Sequence, residues 1–334
     1  MSNPDIATRQ LRRDMRGVCL CVAAFILTMG FVSIVVISVV VATEMLTDAE
    51  LVKVITSHPY DWMSRVDSNY LTDLVSKATE NYSGLASCIG MICGLPWFLL
   101  IRGKRFFTYD IPTRHSSPSL LLLLGLFVII MGVQFFMSLV QMGLEPLFNQ
   151  GGGSLVDNLE EGTQQLAADP WGLIYIMLVG PLCEELVFRG AVLRRLEKHG
   201  ANFAIVTSAL LFGLYHIILY QAVFAFLIGL VLAYTAGRFS LKWAIVLHVA
   251  NNSLAVLSLY TTNDIAAAAL GILFMLSLAA TVVLLSTNRQ LMRFQLAQGA
   301  PVSAHTYARA YISPWLIVYV VLTLFGGVLL LGIL

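Results

Sequence analysis

Charge is what this sequence has least of. Of its 334 residues only 12% are Asp, Glu, Lys or Arg, while 58% are hydrophobic. Soluble domains carry about twice that charged fraction, so the composition excludes an ordinary water-soluble fold. A disulfide framework is missing too. The five cysteines, Cys19, Cys21, Cys88, Cys93 and Cys183, all fall in or beside apolar runs, where a thiol packs as a small hydrophobe. Cys183 adjoins Glu184 and so has the place of a nucleophile, but its surroundings are those of a packing residue. There is no internal repeat, no separate polar domain and no HExxH metal motif. A net charge of +1 gives no sign of a nucleic-acid partner.

What the chain does have is apolar runs of bilayer length. A spanning helix needs roughly 20 mostly apolar residues, and runs of that kind occupy 17–43, 84–101, 120–144, 171–193, 202–219, 222–237, 243–260, 265–286 and 315–334. They are too long and too uniformly apolar for barrel strands. The expected fold is therefore all-α, a polytopic membrane bundle of about nine spans. Basic residues alternate between its loops: Arg9, Arg12, Arg13 and Arg16; Arg102, Lys104, Arg105 and Arg114; Arg194, Arg195 and Lys198; Arg238 and Lys242; Arg289, Arg293 and Arg309. The intervening loops are acidic. The positive-inside rule then puts the amino terminus inside and the carboxyl terminus outside. The first run is too long for a cleaved signal peptide and reads as an anchor. Compact loops suggest a bacterial plasma membrane.

Three regions follow. Residues 1–169 hold the first spans and an outer amphipathic segment, 44–83, in which Thr47 and Glu50 form a candidate capping box. Residues 170–260 hold the chemistry, and 261–334 the last spans. A second outer loop, 146–170, contains NQGGGS and is expected to be mobile.

With the topology assigned, the ionisable groups left inside spans are Glu184, Glu185, Arg189, His216 and His248. Charge at mid-bilayer costs roughly 2.5–3.5 kcal/mol on insertion scales, so such groups face a cavity or one another. In GPLCEELVFRGAV, Glu185 and Arg189 are four apart and can pair. Glu184 is rotated about 100° from Glu185 and can point elsewhere. In FGLYH, Phe212 and His216 share a face, and in HVANN, His248 and Asn252 do. One carboxylate, two imidazoles and an amide match the needs of peptide hydrolysis: a base for water, and donors for the oxyanion. Counting helical rise makes His248 shallow, Glu184 near the middle and His216 deeper, so convergence requires the fifth helix to tilt or start late, and Gly180 and Pro181 could also bend the fourth.

EELVFR, FGLYH and HVANN resemble, in order and spacing, the EExxxR, FxxxH and HxxxN motifs of the CAAX protease and bacteriocin-processing family of intramembrane endopeptidases. The resemblance covers roughly 170–260. It implies that Glu184 with His216 activates water, that His248 and Asn252 stabilise the oxyanion, and that Glu185 and Arg189 support the site. The implied substrate is a membrane-associated peptide or lipidated protein, either a prenylated CAAX-type protein or a bacteriocin or signal-peptide precursor. No cofactor is required on this reading.

Several alternatives stay open. Glu184, His216 and His248 could be three zinc ligands with water as the fourth. Embedded Glu and His residues also serve proton-coupled transporters. A non-catalytic self-immunity or scaffold protein could keep the same fold. Taken one at a time, Glu185 with Arg189 reads most simply as a structural ion pair, Phe212 as packing, and Asn252 as a bond between helices.

Overall fold

The computed structural model describes residues 4–112, 116–150, 157–287 and 304–330. Arg114, Arg289, Arg293, most of NQGGGS and the last four residues of the ninth apolar run lie outside the described residues. Those described are helical, with no strand among them. In chain order the helices are α1 (Pro4–Thr47), α2 (Ala49–Ser57), α3 (Trp62–Arg65), α4 (Ser68–Gly94), α5 (Pro96–Arg102), α6 (Leu120–Gln150) and α7 (Asp157–Ala168). Then come α8 (Pro170–His199), α9 (Ala201–Tyr215), α10 (Leu219–Arg238), α11 (Leu241–Leu259), α12 (Asp264–Thr287), α13 (Ala304–Tyr311) and α14 (Pro314–Leu330). Each apolar run falls on a helix. By length and composition, 6 helices among the described residues could cross a membrane: α1, α4 with α5, α6, α8, α10 and α12. Helix α9 and the apolar part of α14 are shorter, and α11 is not one of the six. The protein is a multi-pass helical membrane protein.

Helix α9 ends earlier than the apolar run suggests. The run continues through Ile217 and Ile218, but the helix stops at Tyr215 with His216 at its cap. Ile217 takes φ 64°, a conformation that β-branched residues rarely adopt. The Ile218 amide bonds the His216 carbonyl at 2.6 Å, closing a tight reversal into α10. His216 therefore stands at a helix end, about 22 Å along the axis from the start of α9. Glu184 is the same number of residues from the end of α8.

Glycines set the closest approach. A Cβ on Gly84 of α4 would run into the backbone of Trp171 and Gly172 at the start of α8. On α6, a Cβ on Gly132 would strike Thr281 of α12, whose hydroxyl donates to Val128 O at 3.3 Å. At the basic ends of the bundle, Asp14 of α1 is buried and accepts from α8. Arg195 (2.8 Å), Lys198 (2.8 Å) and His199 (2.8 Å) all converge on its carboxylate. Arg194 Nη2 donates to Ala236 O at 2.9 Å, registering α10 against α8.

The outer amphipathic helix is present as α2, but its cap is not Thr47. Asp48 is the N-cap, accepting from the Leu51 amide at 2.7 Å. Thr47 ends α1 instead, with its hydroxyl on the carbonyls of Thr43 and Glu44. The Tyr70 hydroxyl donates to Asp48 and, with the Leu51 amide, holds that carboxyl below its ordinary range. In the second outer loop, 157–168 is helical.

Candidate active site

Helix α8 is not a regular α-helix, and its irregularities position the site. Tyr175–Val179 and Leu186–Leu193 are π-helical, flanking the α-helical turn that carries Glu184 and Glu185. The first π-turn has a cause in the sequence. The Gly180 amide bonds back to Tyr175 O, and Pro181 has no N–H to offer. The Ile176 carbonyl thus loses its usual donor, and a buried carbonyl needs one. Asn252 supplies it, with Nδ2 donating to Ile176 O at 2.9 Å. Its Oδ1 in turn accepts from Asn251 Nδ2 at 3.1 Å. Asn252 keeps one N–H not used in these bonds.

The Glu185–Arg189 pair forms as its spacing predicts, with Arg189 Nη1 to Glu185 Oε1 at 2.8 Å and both side chains fully buried. Arg189 Nη2 also donates to Gly229 O at 3.2 Å, and the guanidinium lies 4.3 Å from the Phe212 ring centroid. Phe212 therefore does more than fill space, since its π face meets the cation. The same Glu185 oxygen receives His248 Nδ1 at 2.9 Å. Arg189, Glu185 and His248 form one chain across α8, α10 and α11.

The two acids do not diverge to separate partners. His248 lies between them, its Nε2 3.6 Å from Glu184 Oε2. That is too long for a hydrogen bond. Glu184 is 8% exposed and has no protein hydrogen-bond partner among the described residues, so its carboxylate is available to something in the adjoining space. His216 Nδ1 lies 2.9 Å from Phe212 O. A carbonyl only accepts, so Nδ1 carries the proton and Nε2 is left as an acceptor.

Glu184, His216, His248 and Asn252 all line one cavity of about 450 Å³. The depth mismatch from counting rise does not keep them apart. The cavity is walled by Tyr175, Phe212, Tyr215, Phe224 and Ile228, and it reaches Gly162, Thr163 and Leu166 of α7. Reading the sequence missed Gln134 of α6, which also faces it. The available signal was Gln134 at the start of a polar interval, with Ser138 and Gln141, inside a long apolar run. Among the described residues, no three His, Cys, Asp or Glu side chains are arranged to hold a metal ion.

Residues 166–254, from α7 to α11, match the family model described as Rce1-like, type II CAAX prenyl endopeptidase. The matched segment contains Glu184, Glu185, Arg189, His216, His248 and Asn252. No curated protein and no solved structure matches the chain.

Proposed function

From a segment similar to the Rce1-like endopeptidases, set in a multi-pass helical bundle, we propose that this protein is an intramembrane endopeptidase acting through glutamate-activated water. The substrate is a membrane-associated peptide or lipidated protein, of the prenylated CAAX type or a bacteriocin or signal-peptide precursor. The observation that carries this is the convergence of Glu184, His216, His248 and Asn252 on one cavity, with the Glu184 carboxylate making no hydrogen bond to a described residue.

In this reading a water sits between Glu184 and His216 Nε2. Glu184 takes its proton as the oxygen attacks the scissile carbonyl. The negative charge that develops on the carbonyl oxygen faces His248 Nε2 and the remaining Asn252 N–H. For Nε2 to donate while Nδ1 bonds the Glu185 carboxylate, both ring nitrogens of His248 must carry protons in the transition state. Arg189 donates to the same Glu185 oxygen and so fixes the carboxylate where it meets His248. Collapse of the tetrahedral intermediate breaks the C–N bond, and Glu184 returns its proton to the leaving amine. No step uses a metal, so hydrolysis should survive a chelator.

The finer topology belongs to the same reading: nine spans, amino terminus inside and carboxyl terminus outside, in a bacterial plasma membrane, as the loop charges indicate. The experiment is Glu184→Gln, with peptide products from membranes holding either form compared by mass spectrometry. Loss of a product at normal protein abundance supports the enzyme. Full function with Gln at 184 would point instead to a scaffold or immunity protein.

A further inference from the structure

Helix α6 is polar on one side of one half only. Residues 120–133 include no polar side chain, but Gln134, Ser138, Gln141, Glu145 and Asn149 follow at intervals of three and four, which keeps them on one face. In a helix that long and apolar such a stripe has a cost unless it meets water or polar partners. The opposite face is occupied, since Gly132 packs on Thr281 of α12. The stripe is lined with space throughout. Gln134 faces the cavity that holds Glu184, and Ser138, Gln141, Glu145 and Asn149 line a second cavity of about 410 Å³ further along the same face. At the junction, Gln134 Oε1 is buried without a hydrogen-bond partner among the described residues. A buried carbonyl oxygen of this kind costs stability unless a ligand or water supplies a donor.

We infer that this face of α6 is a hydrated groove that receives an extended, polar segment of the substrate from the side of the bundle bearing α7, and that Gln134 positions it by accepting a main-chain N–H. The groove leads away from the basic ends where Asp14 meets Arg195 and Lys198. By the loop charges, the polar part of the substrate therefore comes from the outer side. The inference rests on the protease reading for its occupant, but not for the groove itself.

The test has two arms. In the first, Ser138→Cys, Gln141→Cys and Asn149→Cys are made in a Cys93→Ala background, since Cys93 is the exposed native thiol and the other four are buried. Full-length protein in nanodiscs, where both membrane faces are open, is treated with a charged maleimide. Phe136→Cys and Leu139→Cys, on the exposed apolar faces, serve as controls. The stripe positions should react roughly tenfold faster or more, because a thiolate forms only in water. Equal rates would overturn the groove. In the second arm, wild type and Gln134→Leu hydrolyse a farnesylated peptide ending in a CAAX box, and variants of it N-methylated at one amide at a time. Gln134→Leu should raise KM by roughly three- to tenfold, the worth of one hydrogen bond, with little change in kcat. One N-methyl peptide should show the same loss with wild type and none with Gln134→Leu. Additive losses at every amide would overturn the positioning role. If wild type cleaves no such peptide while the stripe labels fast, the CAAX-type substrate fails and the groove stands.

Discussion

The chain of Arg189, Glu185 and His248 allows stability and activity to be separated. Arg189→Met removes the cation from a fully buried pair and leaves the Glu185 charge with only His248 beside it. Breaking a buried pair from one side costs about 3–5 kcal/mol, because the remaining charge stays desolvated. The double variant Glu185→Gln, Arg189→Met removes both charges. What remains lost is the bond to Gly229 O and the contact with Phe212, each worth about 1 kcal/mol. The native pair is also imperfect, since Glu185 Oε2 and Arg189 Nε are buried without partners among the described residues, so its removal relieves two desolvated atoms. The double variant should therefore lie within about 2 kcal/mol of wild type, and so be at least about 1 kcal/mol more stable than Arg189→Met alone. Activity should not recover with it. His248 would face a neutral amide, and hydrolysis should stay roughly a hundredfold or more below wild type. The assay is reversible denaturant unfolding in mixed micelles, read by tryptophan fluorescence, beside turnover of a peptide substrate. A double variant as unstable as Arg189→Met alone, or one with near wild-type turnover, would refute the reasoning.

Other expectations follow from single contacts. Asn252→Ala should orphan the Ile176 carbonyl, costing about 1–3 kcal/mol in the same unfolding assay, and should lower kcat about a hundredfold through the lost oxyanion donor. Gly84→Ala should lower the unfolding midpoint, with a cost of about 1–3 kcal/mol or more, because the neighbour it meets is backbone and cannot swing aside. Ile217→Gly should relieve a disfavoured backbone angle worth up to about 1 kcal/mol, while kcat falls as His216 loses its fixed turn. Incubation with 1,10-phenanthroline should leave turnover unchanged, and inactivation restored by zinc would revive the Glu184, His216 and His248 ligand set.

Much of this could be read before any coordinates, and the failures have physical causes. Apolar runs mark helices because bilayer insertion is additive over length, so each run found a helix. The end of α9 was hidden because Ile217 and Ile218 are as apolar as the helix they interrupt, and the positive φ falls on isoleucine where glycine would have been a sign. Glu185 with Arg189 was legible because both lie on one helix at a pairing interval. The bond from His248 to Glu185 was not, since the register between α8 and α11 is set by packing and leaves no trace in spacing. Thr47 and Asp48 are adjacent candidates for one cap, and the outcome depended on how far α1 runs. The bond from Asn252 to Ile176 could have been anticipated at Pro181, whose missing N–H always leaves a carbonyl to be satisfied.

The contact at Asp14 bears on how the molecule can be divided. One carboxylate near the start of the chain is the shared partner of Arg195, Lys198 and His199 at the foot of the helix that holds Glu184. A fragment trimmed to residues 166–254 would bare those groups with no counter-ion. The matched segment is thus not a portable module, because the foot of its helix α8 is held by a side chain that lies about 150 residues before it.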